Sequence, residues 1–215
     1  EKVNLACIGI GNQGGLDVMS LYNTGLANIV ALCDVDMGAP QTLKVLEKFP
    51  DVPRFQDFRQ MFDKMGSKIE AVSIGVPDHS HFPITMMALG LGKHVFVEKP
   101  MARTFNEIEL MMAAARKHPK VVTQMGNQGA SNDGPRLLRE WYDAGLIGDV
   151  HTVYAWTDRP VWPQGIPWSK NKADVPKELD WDLWLGTAPY KDYVDKLVPF
   201  NWRGWWDYGT GALGD

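Results

Sequence analysis

Glu98 and Lys99 are the residues of this sequence best placed to do chemistry, because they follow directly on the short apolar run Val95–Val97. Such a run is typical of a buried strand in a parallel sheet. In open α/β sheets, ligands bind beyond the carboxyl ends of the strands. Pro100 then restricts Lys99 to extended conformations. We therefore predict that Lys99 is the chemical centre, with Glu98 either orienting it or forming a purely structural salt bridge with it.

A second motif, which suits phosphate binding, follows the strand-like run Val3–Ile8 and opens a helix-like segment. It reads Gly9-Ile10-Gly11-Asn12-Gln13-Gly14, and Asp34 stands 20 positions after its last glycine. The dinucleotide-binding fingerprint consists of a strand, this glycine spacing, a helix and a later acidic residue. The glycines permit a tight turn and a close approach of a pyrophosphate, which the helix N-terminus attracts.

The acidic residue of the fingerprint favours NAD over NADP as the cofactor. Asp34 would accept hydrogen bonds from the ribose hydroxyls, whereas a 2′-phosphate there would meet Asp34 and Asp36 with no arginine close by in sequence. A plain glycine turn with a capping aspartate is the alternative. No metal site is predicted. The predicted cofactor ligands in this part of the chain are Gly9, Ile10, Gly11, Asn12, Gln13, Gly14 and Asp34.

The elements that must position these residues alternate between strands and helices. Strands are predicted at 3–8, 29–33, 71–74, 94–97 and 121–123, and helices at 12–22, 38–49, 58–65, 83–91 and 104–117. Repeated βα units imply a parallel sheet with right-handed crossovers. The loop Pro77–His81 follows one of the strands, so His79 and His81 could line the cofactor crevice. His81 is the preferred cofactor contact, and a solvated or helix-capping histidine is the alternative.

Composition limits what the chain does and divides it in two. Hydrophobic residues make up 45% and charged residues 22% of 215 residues, which indicates a globular protein with a sizeable core. A net charge of −4 with no basic run argues against nucleic acid and anionic membranes as partners. All nine tryptophans lie between Trp141 and Trp206. We therefore expect a nucleotide-binding domain at 1–125 and a second domain at 126–215.

The second domain is expected to contain a helix at 135–144, a strand at 150–157 and a short helix at 180–185. Its aromatic residues stand next to arginine and aspartate, an arrangement that suits a sugar with apolar C–H faces and polar hydroxyls. Arg159, Trp162 and Trp206 are the predicted substrate contacts. Tryptophan is also a large core residue, so packing is the alternative for each ring.

Together with the glycine motif, the stretch Gly92-Lys93-His94-Val95-Phe96-Val97-Glu98-Lys99-Pro100 resembles the Gfo/Idh/MocA oxidoreductase family. The resemblance implies an α/β fold: an N-terminal Rossmann domain with a doubly wound parallel sheet, and a C-terminal α/β domain with an open sheet. In that family the second domain supplies much of the substrate site and often the oligomer interface. A homo-oligomer is therefore expected for the full-length protein.

The resemblance also implies roles for individual residues. Lys99 matches a lysine beside the nicotinamide and the reacting carbinol, and Glu98 is taken as a further cofactor contact. Asn127 and Gln128 match a loop that touches the nicotinamide or the substrate, although a plain turn there is the alternative. Asp215 matches a catalytic aspartate that a histidine, the general base, follows four positions later. The sequence stops before that position, so we expect a fragment of a protein about twice as long.

The sequence therefore predicts an NAD-dependent oxidoreductase acting on a sugar, cyclitol or related polyol. Two alternatives stay open: an NAD-dependent glycoside hydrolase of the same fold, and a protein that binds NAD without catalysis. The compartment also stays open, since the chain begins with Glu1 and a cytoplasmic protein or an exported one that has lost its signal would both fit.

Overall fold

The computed structural model describes residues 1–215, and residues 3–125 contain a six-stranded parallel sheet. The strand order is β3-β2-β1-β4-β5-β6, with the crossover between its two halves at β1 and β4. The strands are β1 (Val3–Ile8), β2 (Ala27–Cys33), β3 (Arg54–Phe55), β4 (Ala71–Ile74), β5 (His94–Val97) and β6 (Thr123–Met125). This order confirms the predicted doubly wound sheet, whose ligand crevice lies where the order reverses.

Five helices cover the two faces of the sheet. They are α1 (Asn12–Asn23), α2 (Pro40–Lys48), α3 (Phe58–Met65), α4 (Asp78–Gly90) and α5 (Phe105–Lys117). The predicted helices at 12–22, 38–49, 58–65 and 104–117 are confirmed within two residues at each end. α5 begins with a capping box, in which the Thr104 side chain accepts from the Glu107 N–H and the Glu107 carboxylate accepts from the Thr104 N–H.

Helix α4 begins at Asp78, five residues before the predicted start at Pro83. Its first turn is held by contacts with residues far along the chain. Asp78 accepts hydrogen bonds from the N–H and hydroxyl of Thr210, and the His79 N–H donates to the Tyr208 carbonyl. These contacts stabilise a turn that the position of Pro83 argues against, and they lie outside any local sequence pattern.

The core of the nucleotide-binding region has two layers, one on each side of the sheet. One layer contains Ile8, Val72, Ile74, Val95 and Val97 with the buried faces of α3, α4 and α5. The other contains Leu5, Cys7, Ile10, Leu32 and Val45 with α1 and α2. Cys7 and Cys33 are buried free thiols, as the sequence predicts. No helix is both long and apolar enough to cross a membrane.

After β6 the chain forms only short helices. They are α6 (Asp133–Asp143), α7 (Trp181–Leu185) and α8 (Gly211–Gly214), with 3₁₀ turns at Gln128–Ser131 and Asn201–Gly204. The helices predicted at 135–144 and 180–185 are confirmed. The strand predicted at 150–157 is wrong. No strand lies beside this segment to pair with its N–H and C=O groups, and its large side chains, such as Tyr154 and Trp156, are exposed.

An aromatic cluster in residues 179–208 returns to the nucleotide-binding region. Trp181 and Trp184 stack with ring centroids 4.8 Å apart, and Trp184 meets the fully buried Tyr208 edge-on at 4.9 Å. Backbone bonds tie the cluster to the end of β2: the Asp180 N–H donates to the Val35 carbonyl at 2.9 Å. The cluster therefore lies over the carboxyl edge of the sheet, where the crevice opens.

Candidate active site

The glycine motif forms a tight connection between β1 and α1 at the crossover of the sheet. Gly9 has a φ of +74°, which favours glycine, and a Cβ on Gly14 would overlap the carbonyl oxygen of Gly9. A Cβ on Gly75, at the end of β4, would lie 2.5 Å from the Gly14 Cα. The close approach of three backbone segments here leaves no room for side chains.

The Asp34 carboxylate lies directly beneath this motif. Its Oδ2 accepts from the N–H groups of Ile10 (2.8 Å) and Gly11 (3.2 Å), and its Oδ1 accepts from the Asp36 N–H. Burial raises the pKa of Asp34 to about 6, although the backbone hydrogen bonds act in the opposite direction. The carboxylate stands where the fingerprint predicts a ribose acceptor.

These residues fit a dinucleotide. Gly11 is the N-cap of α1 and provides no side-chain hydrogen bond, so the N–H groups of the first turn remain available for phosphate oxygens. A crevice of about 840 Å³ runs from this helix end to Lys99. Its lining combines residues from two parts of the chain. The nucleotide-binding region contributes Gly9, Gly11, Asn12, Gln13, Asp34, Asp36, Gln41 and Thr42, and the later segment contributes Leu179, Asp182, Trp184, Val198, Phe200 and Trp202.

Lys99 and Asp215 meet at the far end of the crevice. Lys99 Nζ lies 3.0 Å from Asp215 Oδ1 and 3.0 Å from the Asp215 backbone oxygen. Lys99 leaves the carboxyl end of β5 through a cis peptide bond to Pro100. Glu98 is buried and its Oε2 accepts from the Lys99 N–H at 3.1 Å. Glu98 makes no ion pair with the Lys99 ammonium, so the predicted salt bridge is not observed and the contact of Glu98 with Lys99 is to its backbone N–H.

Two arginines join this group. Arg159 Nη1 contacts Asp215 Oδ2, and Arg203 Nε lies 3.5 Å from Asp215 Oδ1. Burial, followed by the nearby Arg159 charge, lowers the pKa of Lys99. Sequence reasoning missed Arg203 as a site residue. The available signal was its position in the tryptophan-rich segment beside Trp202, but no local pattern indicates that this segment folds back onto Lys99.

The two histidines of the predicted loop are buried in the first turn of α4 instead. His81 Nδ1 and Nε2 face the carbonyls of Pro100 (2.6 Å) and Val76 (2.8 Å), and the side chain is absent from the crevice wall. His79 faces the carbonyls of Trp184 and Tyr208. Burial lowers the pKa of His79 to about 4. The structure thus places His81 as a tie between the ends of β4 and β5.

The other predicted site residues lie in four different settings. Gln128 lines the crevice, and it shares a second pocket of about 650 Å³ with Asn127, Lys99, Arg159 and Asp215. Ile10 and Gly14 of the glycine motif are buried, so they can contribute only backbone groups. Trp162 is buried and supports the Arg159 guanidinium, 5.5 Å from its ring centroid. Trp206 is 72% exposed and lies on neither wall.

Two family models match this chain. Residues 3–125 match the model of the Gfo/Idh/MocA oxidoreductase family, NAD-binding Rossmann fold, and residues 144–215 match the family's C-terminal alpha/beta domain. Inositol 2-dehydrogenase of Salmonella typhimurium is 30% identical over 149 residues, 68% of this chain and 43% of the relative. D-glucoside 3-dehydrogenase of Escherichia coli is 31% identical over 78% of this chain and 46% of the relative.

Further relatives span two activities. A glycosyl hydrolase family 109 protein of Streptomyces niveus is 28% identical over 70% of this chain and 31% of the relative. The solved structure of scyllo-inositol dehydrogenase from Lactobacillus casei with NAD(H) and scyllo-inositol aligns with a TM-score of 0.61 and 28% identity. It covers 69% of this chain and 43% of that one. The chain spans less than half the length of these relatives. It belongs to the Gfo/Idh/MocA oxidoreductase family, and residues 3–125 are its NAD-binding Rossmann domain.

Proposed function

We propose that this chain carries the NAD site and part of the substrate site of an oxidoreductase that oxidises a CH–OH carbon of a sugar, cyclitol or related polyol. The observation that supports the proposal most strongly is that one crevice joins Asp34 and the α1 N-terminus to Lys99, Gln128 and Asp215. A bound nicotinamide supplies a hydride acceptor. The boundaries 1–125 and 126–215 are proposed as the two domains.

In this proposal Lys99 stabilises the charge that develops on the substrate oxygen. Its ammonium is partly buried and paired with Asp215, so its position is fixed before the substrate binds. A preorganised charge in a site that excludes water typically lowers a barrier by several kcal/mol, in the range of ~3 to 4 for a single donor. Gln128 and Asn127 line the pocket next to Lys99 and are proposed to hold substrate hydroxyls. The general base is proposed to be a histidine four positions after Asp215.

The experiment has two stages. Titration of this chain with NAD, monitored by tryptophan fluorescence, tests the cofactor site, because Trp184 and Trp202 line the crevice. Incubation of the intact protein with NAD and a panel of sugars and cyclitols then tests for NADH formation. NAD binding together with NADH formation is the expected result. Absence of NAD binding would contradict the proposal.

The same assay separates the two alternatives. The family 109 relative makes a glycoside hydrolase a second candidate, and that activity would release a glycoside leaving group with no net NADH. A protein that binds NAD without catalysis would give neither product. A homo-oligomer of the intact protein, with a carbohydrate-like substrate, is part of the proposal and is checked by light scattering.

A further inference from the structure

Three cationic side chains converge on one carboxylate at the substrate end of the crevice. Lys99 Nζ and Arg203 Nε lie 3.0 and 3.5 Å from Asp215 Oδ1, and Arg159 Nη1 contacts Asp215 Oδ2. The three come from the end of β5, from the irregular segment after α6 and from the 3₁₀ turn at Asn201–Gly204. A single carboxylate therefore serves three positive charges.

The other nearby carboxylates are committed elsewhere. Asp78 is buried and accepts two hydrogen bonds from Thr210, and Glu98 is buried and accepts from the Lys99 N–H. Neither forms an ion pair with Lys99, Arg159 or Arg203 in the structure. Burial, and then the Arg159 charge, lowers the pKa of Lys99, whereas the Asp78 and Glu98 charges raise it. For Arg203, burial again lowers the pKa, with Asp78 opposing and Arg159 adding to the shift.

Aromatic rings hold both guanidinium groups in fixed positions. Arg203 Cζ lies 4.4 Å from the Trp202 ring centroid and 4.6 Å from that of Phe200. Arg159 lies over Trp162, and its side chain is 43% exposed, which leaves part of the guanidinium open to the pocket. A planar guanidinium presents a fork of donors that matches the oxygens of a carboxylate or phosphate. The open fork is that of Arg159.

We propose, resting on the function proposed above, that the substrate is an anionic sugar or polyol whose carboxylate or phosphate is bound by Arg159 and Arg203. Arg159 lines the pocket that also contains Lys99, so its guanidinium can bind an oxyanion while Lys99 contacts the reacting oxygen. The substrate class is therefore a sugar acid or a sugar phosphate.

The test compares matched neutral and anionic ligands on the intact protein saturated with NAD. The pairs are glucose with glucuronate, galactose with galacturonate, and glucose with glucose 6-phosphate. The first two pairs test recognition of a carboxylate, and the third tests recognition of a phosphate. Binding is followed by calorimetry and tryptophan fluorescence, and turnover by NADH absorbance. At least one anionic ligand is expected to bind roughly tenfold to a hundredfold more tightly than its neutral partner, the range for one charged hydrogen-bonded contact.

Variants assign this preference to the arginine. Arg159→Gln is expected to weaken binding of the anionic ligand much more than binding of its neutral partner, so that most of the preference is lost. Arg139→Gln is the control, because Arg139 lies on the exposed face of α6 and pairs only with Asp143. Thermal melting of both variants checks that they fold.

Three outcomes would overturn the inference. They are equal affinity for the members of every pair, equal binding of inorganic phosphate and the sugar acids, and a loss of NAD affinity in Arg159→Gln that matches the loss of ligand affinity. In each case NAD binding and polyol oxidation by the wild type would still stand. Failure of the proposed function is different, since the wild type would then fail to bind NAD or would form no NADH with any ligand of the panel.

Discussion

Lys99 Nζ lies 3.0 Å from Asp215 Oδ1, although 116 residues separate them in sequence. The contact forms because the aromatic cluster of residues 179–208 packs on the carboxyl edge of the sheet and carries the last residues back to β5. The substrate end of the crevice is thus shared between the two regions. Folding of the Rossmann region alone leaves Lys99 without its partner.

Asp215→Asn tests the role of this contact. The change removes the carboxylate that serves three cations, so Lys99 loses its ion pair and its orientation. We expect turnover by the intact protein to fall by about 10- to 100-fold, with NAD affinity unchanged. Asp192→Asn, which breaks only the exposed pair with Lys172, is the matched control. Turnover by Asp215→Asn equal to that of the control would argue against a role in positioning Lys99.

Gly14→Ala tests the packing of the nucleotide-binding motif. Its Cβ would overlap the Gly9 carbonyl oxygen, a backbone atom that cannot move without opening the connection between β1 and α1. We expect loss of measurable NAD binding and a free energy of unfolding lower by several kcal/mol, ~2 or more, as for other overpacked sites. The measurements are urea unfolding and NAD titration.

Gly90→Ala is the control for that variant. Gly90 ends α4, and a Cβ at this position would have no atom within 4 Å, so alanine there should raise the free energy of unfolding by at most about 1 kcal/mol. NAD affinity should not change. If Gly14→Ala behaves like Gly90→Ala, the close packing of Gly9, Gly14 and Gly75 is not what shapes the site.

NAD affinity should depend on the protonation of Asp34. Burial raises the pKa of Asp34 to about 6, so the carboxylate gains a proton as the pH falls through that value and loses an acceptor for the ribose hydroxyls. We expect the Kd for NAD to rise by up to about tenfold per pH unit below about 6. Asp34→Asn should bind NAD weakly at every pH. A wild-type Kd that stays constant between about pH 5 and pH 8 would exclude this dependence.

His79 should make the fold less stable in acid. Burial lowers its pKa to about 4, so as the pH falls from about 6.5 to 4 the unfolded chain takes up a proton that the native state does not. The free energy of unfolding therefore decreases, and this residue contributes about 3 kcal/mol of that decrease. Asp17 and Asp34, whose pKa values burial raises to about 6, act in the opposite direction over the same range.

The variant His79→Gln isolates that contribution. We expect it to be less stable than the wild type near neutral pH because it loses contacts to the Trp184 and Tyr208 carbonyls. The stability difference between the two proteins should shrink by about 3 kcal/mol on going from about pH 7 to pH 4. Urea unfolding at several pH values measures it. A difference that does not change with pH would show that His79 is not held neutral by burial.

Local sequence was sufficient for most of the nucleotide-binding half, although it missed the two-residue strand β3 (Arg54–Phe55). The signals used there are patterns of residues close in sequence: the glycine spacing, the position of Asp34 and the apolar run ending at Val97. The observed strands and helices lie close to the positions that these patterns predict. The start of α4 was missed because Asp78 and His79 are stabilised by residues 208–210. The prediction of a strand at 150–157 was wrong because a strand needs hydrogen-bond partners on a neighbouring strand. The sequence of the segment itself does not show whether such a neighbour is present.

The substrate end of the site was only partly predictable for the same reason. Lys99, Asp215 and Arg159 were predicted, and the structure brings them together, whereas Arg203 was missed and Trp206 lies on the surface. The rings of Trp181, Trp184 and Trp202 are buried in the aromatic cluster. Which tryptophan faces a ligand depends on how residues 179–208 fold back, and nothing in the spacing of the tryptophans determines that.

The most direct test of the account is the comparison of Lys99→Met with the wild type in the intact protein. Methionine keeps much of the side-chain volume and removes the ammonium, and Lys99 follows β5 whereas the glycine motif follows β1. We expect an unchanged Kd for NAD, measured by fluorescence titration, and a rate of NADH formation lower by about a hundredfold to a thousandfold. Near-normal turnover by Lys99→Met with normal NAD binding would contradict the assignment of Lys99 as the chemical centre.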